Sequence, residues 1–325
     1  LMKPDSGDQP DRASASEAIA SAIFHAAGYY APCNRVALAR REDFVIDPGA
    51  EVRYSSGARA PLTEATVEGI LAAAQVTGDG RLRFSLSQFV DGEPIAPWTY
   101  QATWAADPND VVPHEHRRDL RGMYVLSSWL NHIDSRQENT LATWMTVGDG
   151  GYVRHYMLDF SDTLGMMHSW DRLSRRFGYS GYFDLQHITE DLLTLGLVRR
   201  PWDGATLGAA GTTLGYFDAT RYEPDAWRPG YPNHAYQHMT ERDAAWMARI
   251  VARCSDEHLR ALVERGHLSR PDVADELRRT LAGLTREASA RQVTLSGLTP
   301  AECARYLATI ATDAGAPGPD LHRET

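Results

Sequence analysis

Apolar residues recur at helical spacing early in the chain. Between Ser14 and Ala27, the residues Ala15, Ala18, Ile19, Ala22, Ile23 and Ala26 share one face, and Gly28 follows as a stop. Ser14 with Glu17 has the form of a capping box, which would give Glu17 a purely local job. Arg35 to Arg40 and Phe44 to Asp47 read as strands broken by a polar turn. Residues 63–75 read as a short helix, and Arg81 to Val90 as a half-buried strand with Leu82, Phe84 and Leu86 on one side. Trp98 to Trp104 reads as another strand. A turn-rich link, Asp107-Pro108-Asn109-Asp110, then changes the pattern. A helix is expected from His114 to about Leu130, followed by a loop and two apolar strands joined by Gly148-Asp149-Gly150-Gly151 and closed by Asp159.

Residues 166–185 look irregular, 188–198 helical, and 201–235 a long surface loop. A helix capped by Thr240 with Asp243 buries Ala244, Met247, Ile250, Val251 and Cys254. Further helices are expected over about 256–265, 271–290 and 300–312. The class this predicts is α+β, with a small mixed region over 1–106 and a larger, mainly helical one over 107–325. The candidate chemistry lies just past their junction, where clefts form.

Composition narrows the function. The net charge of -10 argues against broad binding to nucleic acid, so Arg117-Arg118 and Arg175-Arg176 read as solvated helix faces. No apolar run is long enough to span a membrane. Cys33, Cys254 and Cys303 form no CxxC pair and no disulfide framework. His114-Glu115-His116 lacks the HExxH spacing, and residues two apart on a helix point to different faces, so zinc chemistry is disfavoured. No GxSxG elbow exists, and Ser-x-x-Lys is impossible because Lys3 is the sole lysine among 33 basic residues. In so arginine-biased a chain, that lysine is a candidate for a task needing a compact charge on a flexible stem. The plain alternative is a chance residue. Compartment is left open.

The densest chemistry lies between Asn131 and Gly165. A helix leads to Asp134, Asn139 follows after four residues, and a hairpin then leads to Asp159-Phe160. Two acidic groups and an amide so placed could hold a divalent metal on a polyphosphate and orient a hydroxyl. The order follows the protein-kinase template H-R-D, four residues, N, and later D-F-G, with His132 ahead of Asp134 and Ser161 in place of the last glycine.

The match is closer to atypical kinases. Asp134-Ser135-Arg136-Gln137-Glu138-Asn139 resembles the D-R-H-x-x-N loop of phosphatidylinositol kinases, and His155 to Asp159, HYMLD, with Leu164-Gly165 resembles their H-x-D-F-G element. HipA-type kinases also carry an Asp with an Asn five positions on. Glu17 and the following AAGYYAP segment resemble them too. With its segments DPNDVVPHEHRRDLRGMYVLSSWLNHID and HYMLDFSDTLG, the chain resembles a bacterial family of the HipA-like and phosphatidylinositol-kinase-like fold over most of its length, although the functional motifs are short. The resemblance implies a bilobal protein-kinase-like fold and an ATP- or GTP-dependent phosphotransferase using Mg²⁺ or Mn²⁺ and an unidentified hydroxyl acceptor. Asp134 would be the catalytic base, with His132 beside it in the catalytic set. Asn139 and Asp159 would hold the metal. Lys3 would touch the nucleotide phosphates with Glu17 pairing it, and Phe84 to Val90 would be the connector against which the base stacks. No glycine-rich phosphate loop precedes Lys3, so the small lobe is expected without its first strands. That departure, with Ser161, keeps a second reading open: an inactive kinase-fold nucleotide-binding or scaffold protein.

Overall fold

Strand β1 (Met2–Pro4), helix α1 (Arg12–Ala26) and strand β2 (Asn34–Ala39) open the chain, followed by a ribbon of β3 (Glu51–Arg53) and β4 (Arg59–Pro61). Then come α2 (Glu64–Ala72), β5 (Leu82–Ser87), β6 (Glu93–Ala96), α3 (Arg118–Trp129) and the hairpin of β7 (Thr140–Val147) and β8 (Gly150–Met157). The remainder is helical: α4 (Asp171–Arg176), α5 (Leu185–Leu193), α6 (Gly211–Leu214), α7 (His234–Gln237), α8 (Glu241–Val251), α9 (Asp256–Glu264) and α10 (Pro271–Ser296). This computed structural model describes residues 1–296 apart from 55, 169, 170, 210, 218 and 222, so the helix expected over 300–312 lies outside the described residues. The architecture is mixed α+β.

Antiparallel strands in the order β1-β5-β2 make the first sheet, with Lys3 opposite Ser85 and Asn34 opposite Ser87. Helix α1 packs on it, with Ser14 bonded to Arg83 of β5 and Glu17 to Asn34 of β2. The helix starts at Arg12, two residues before the expected cap. Ser14 and Glu17 therefore both lie inside it, and the capping box they suggested does not form. Instead, Ser14 Oγ donates to Asp5 Oδ2 at 2.5 Å and Glu17 is buried.

Hairpin β7–β8 turns where expected, on Gly148 and Asp149, with Gly148 at φ 55°. Gly151 lies against the Trp144 ring, where a Cβ would come within 2.5 Å of the indole. Strand β6 joins this hairpin along β7. Its sequence, Glu-Pro-Ile-Ala, carries a proline and no alternation, so local pattern concealed it. Conversely, 44–47 and 98–104 are not strands. Phe44 stacks on Phe84 at 5.3 Å from a loop, and Trp98 is fixed by its backbone N–H and C=O to the Thr140 hydroxyl, at 2.8 and 2.7 Å. The α-helix expected from His114 begins as one tight turn, His114–His116, and becomes regular only at Arg118. The helix expected over 188–198 is α5, shifted toward the N-terminus, and the segments expected to be irregular hold α4, α6 and α7.

One core runs through the molecule. Ile19, Phe24, Trp98, Tyr100, Met123 and Leu126 belong to the same buried cluster as Met247 of α8 and Leu277 and Leu281 of α10. Packing therefore crosses the link at 107–110. Helix α8 begins with the capping box Thr240–Asp243, as the sequence indicates. No helix among the described residues is long and apolar enough to cross a membrane.

Candidate functional site

The sheet places Lys3 at the middle of β1, and α1 lays Glu17 across from it. The Lys3 Nζ donates to Asp159 Oδ2 at 2.8 Å and lies 3.7 Å from Glu17 Oε1. Asp159 sits just past β8 in a left-handed conformation, φ 52°, which an aspartate tolerates better than most residues. Bonds from α1 and to the end of α3 hold the segment after it. Arg12 reaches Ser161 O and Asp162 Oδ1, both at 3.1 Å, and Leu164 N–H donates to Leu130 O at 2.6 Å. The loop carrying Asp159 is thus tied both to α1 and to the loop carrying Asp134.

Charges at this point are strongly coupled. Burial alone would raise the Asp159 carboxyl, but the hydrogen bond and charge of Lys3, helped by Ser161, hold it down at about 2. Glu17 goes the other way. Burial and then the Asp159 charge push it up to about 8, against the pull of Lys3 and the Phe160 N–H. Near neutral pH Glu17 is largely protonated while Asp159 and Lys3 form an ion pair. Asn34, also buried, donates from Nδ2 to Glu17 Oε2 at 2.5 Å.

The second cluster is the loop after α3. Asn139 donates its Nδ2 to Asp134 O at 2.9 Å and to Asp134 Oδ2 at 2.8 Å. Because a carboxylate only accepts, these bonds fix the amide orientation and turn Asn139 Oδ1 the other way. Arg136 Nε lies 2.9 Å from Asp134 Oδ1, an ion-pair contact too bent to be a hydrogen bond. Burial raises the Asp134 pKa most; Asn139 and Arg136 oppose it, while Asp162 and Asp159 reinforce it. Asp134 therefore feels the charge of Asp159, and Leu158 N–H donates to Asn139 O at 2.9 Å to join the two segments.

Lys3, Glu17, Asn139 and Asp159 line one cavity of about 280 Å³, together with Leu1, Pro32, Asn34, Ser85, Ser87, Glu138 and Leu158. Of the expected connector, Ser85 and Ser87 reach this cavity. Asp134 does not line it, and neither does His132. Its ring is packed among Phe24 and Phe160, both at 5.7 Å, and burial pushes its pKa down to about 4 against the charge of Asp159. It is a neutral core residue that sets the path of the loop toward Asp134. Asn34 and Ser85 lack any signal in their local sequence. They reach the cavity only because β2 and β5 are neighbours in the sheet.

Among the described residues no three His, Cys, Asp or Glu side chains gather to hold a metal ion. His114 is buried, with Nε2 at 2.9 Å from Asp110 Oδ2 and Nδ1 against Thr99 O, while the His116 ring lies against His238. At the cavity, a carboxylate and an amide oxygen are hard oxygen donors. That set fits a divalent cation such as Mg²⁺, which keeps several waters and shares phosphate oxygens instead of using an all-protein cage.

A larger groove, about 630 Å³, is lined by 227–233 with Tyr124, Phe183 and Tyr236. Gly230 N–H donates to Ile133 O at 2.8 Å, Asn233 Nδ2 to Ser135 O at 3.1 Å, and Arg136 lies over the Tyr231 ring at 4.7 Å. The groove therefore adjoins the Asp134 loop. Compared with models of known families, with curated proteins and with solved structures, the chain finds no match.

Proposed function

We propose that the protein is a metal-dependent phosphotransferase of bilobal kinase-like form, taking ATP or GTP as donor and a hydroxyl compound as acceptor. The observation that carries this reading is the convergence of Lys3, Glu17, Asn139 and Asp159, from β1, α1 and two loops, on one cavity, with Asp134 hydrogen-bonded to Asn139. Phosphoryl transfer asks mainly for positioning and charge neutralisation, which a short list of residues supplies. A divalent cation, held by Asn139 and Asp159, would supply Lewis-acid charge on the phosphates when bound. Lys3 is half exposed on a flexible stem, so it can leave Asp159 for a phosphate oxygen. Asp134 accepts the acceptor's proton. Its raised pKa makes it a better base than a solvated aspartate, and Asn139 fixes its direction. The acceptor enters by the groove along 227–233, which adjoins that loop.

The test is transfer or hydrolysis of ATP and GTP with Mg²⁺ or Mn²⁺. Asp134→Asn should bind nucleotide normally and lose roughly 10²–10⁴ in turnover, the usual cost of a lost general base. Asp159→Ala should lose metal-dependent binding itself. Normal turnover in both variants would refute the reading.

One observation favours a second reading, an inactive nucleotide-binding or scaffold protein. Both Asp159 oxygens already have partners: Lys3 on Oδ2 at 2.8 Å and the Ser161 hydroxyl on Oδ1 at 2.7 Å. A cation would have to share an oxygen with one of them or displace it. Metal-independent nucleotide binding without turnover would mark this second case.

A further inference from the structure

Helix α5 is turned inside out. Its histidine and acidic residues are engaged by the protein: His187 Nδ1 meets Ser180 Oγ at 3.0 Å and stacks edge-on against Trp202, and Arg200 grips Glu190 at 2.5 Å and Asp191 at 2.8 Å. Its apolar residues face outward. Leu185, Ile188, Leu192 and Leu193, continued by Leu195 and Leu197 in the following turn, are each between 49 and 87% exposed. Scattered exposed leucines are ordinary, but a contiguous strip of this kind marks an interaction surface.

We propose that this strip is where a second copy of the chain docks, the two copies related by a two-fold axis. The proposal stands independently of the phosphotransfer reading. Its first support is area. A large apolar side chain removes on the order of 100 Å² from water when buried, so the strip with neighbouring Phe183 offers roughly 700 Å² per copy, close to the roughly 800 Å² per partner of a stable interface. Its second support is charge. A membrane-surface helix carries Lys or Arg beside its apolar face; α5, LQHITEDLL, has neither, and beside the strip the acidic Asp184, Glu190 and Asp191 outnumber the one exposed arginine, Arg199. Arg199, exposed just past the last leucine, has no acidic partner among the described residues. Antiparallel pairing brings that free cation toward Asp184 at the far end of the other copy's strip, and a two-fold axis makes the contact twice. Phe183 and Leu185 also line the groove beside the Asp134 loop, so the second copy would wall the open side of that groove.

Sedimentation velocity of the full chain, from low to high micromolar concentration, tests this. The wild type should dimerise. Leu192→Glu with Leu193→Glu should sediment as a monomer with an unchanged melting curve, and Arg199→Glu alone should weaken the dimer about tenfold. A wild type that is monomeric throughout, or a double variant that dimerises as well as the wild type, would overturn the proposal. So would a monomeric wild type that floats with neutral phosphatidylcholine vesicles, which would assign the strip to a membrane surface.

Discussion

Two clusters on the α1-facing side of the first sheet are built from the same parts and end differently. At one end, Arg83 donates from Nε to Asp5 at 3.0 Å and Ser14 at 2.8 Å, and from its terminal nitrogens to His267 O at 2.7 Å and Gly266 O at 2.5 Å. Asp11 completes this cluster, 3.3 Å from Arg83, bonded to Gln75 and to Ser269. At the other end Lys3 faces Glu17 and Asp159 beside a cavity. Ser14 and Glu17 are one turn apart on α1, so a single helix serves both. The arginine side chain is 3% exposed and the lysine 41%. A planar fork with fixed donors suits a closed joint, here fastening β5 and the start of α1 to the turn between α9 and α10. A compact charge on a flexible stem suits an open one that must exchange partners. Similar charge can therefore sit in a saturated joint or beside an open cavity, and exposure separates the two.

The contrast breaks most sharply on stability. Arg83→Leu leaves Asp5 and Asp11 buried without their cation and should cost about 3–5 kcal/mol in urea unfolding. A loss below about 1 kcal/mol would show that the joint is not one. On nucleotide affinity the order reverses. Lys3→Met should weaken ATP binding roughly 10- to 100-fold, the worth of about 1.5–3 kcal/mol for a charged hydrogen bond, and Lys3→Arg should not restore it.

The pH response sharpens the comparison further. Glu17 keeps its proton to about pH 8 in the fold but only to its ordinary 4.5 in the unfolded chain. Its contribution to stability is therefore full below about 4.5 and is lost as pH rises through about 8. His132, held neutral with a pKa of about 4, acts in the opposite sense, costing stability as pH falls below its ordinary 6.5. The separable quantity is the difference in melting temperature between Glu17→Gln and wild type, which should move in the variant's favour from pH 5 to pH 8; a flat difference would contradict the coupling. The smallest effect concerns Lys3 again. Being half exposed, it should change stability by no more than about 1 kcal/mol when replaced by methionine.

Local signals made part of this legible from sequence. The β7–β8 hairpin, α1 with its Gly28 stop and the Thr240–Asp243 cap were readable because each depends on residues a few positions apart. The spacing of Asp134, Asn139 and Asp159 was likewise readable, and the lone lysine pointed to Lys3. What failed was non-local. Strand β6 exists because β7 supplies its partner, and Trp98 and Tyr100 alternate into the core without forming a strand. Of the two readings of Glu17, the capping box with Ser14 fails because α1 already starts at Arg12 behind Asp11, whose side chain is taken by Gln75 and Ser269. His132 matched a motif whose order says nothing of burial. The Asp5–Asp11–Arg83 joint and Asn34 left no trace, since their partners are brought together only by strand order.

The proposed function makes Asp159, paired with Lys3 here, a metal ligand for a nucleotide in the same cavity. Calorimetric titration of ATP, with and without Mg²⁺, into wild type and Asp159→Ala tests it most directly. Tight binding is expected only with Mg²⁺ in the wild type, and that metal dependence should be lost in the variant. Equal binding by both proteins, or wild-type binding indifferent to Mg²⁺, would contradict it.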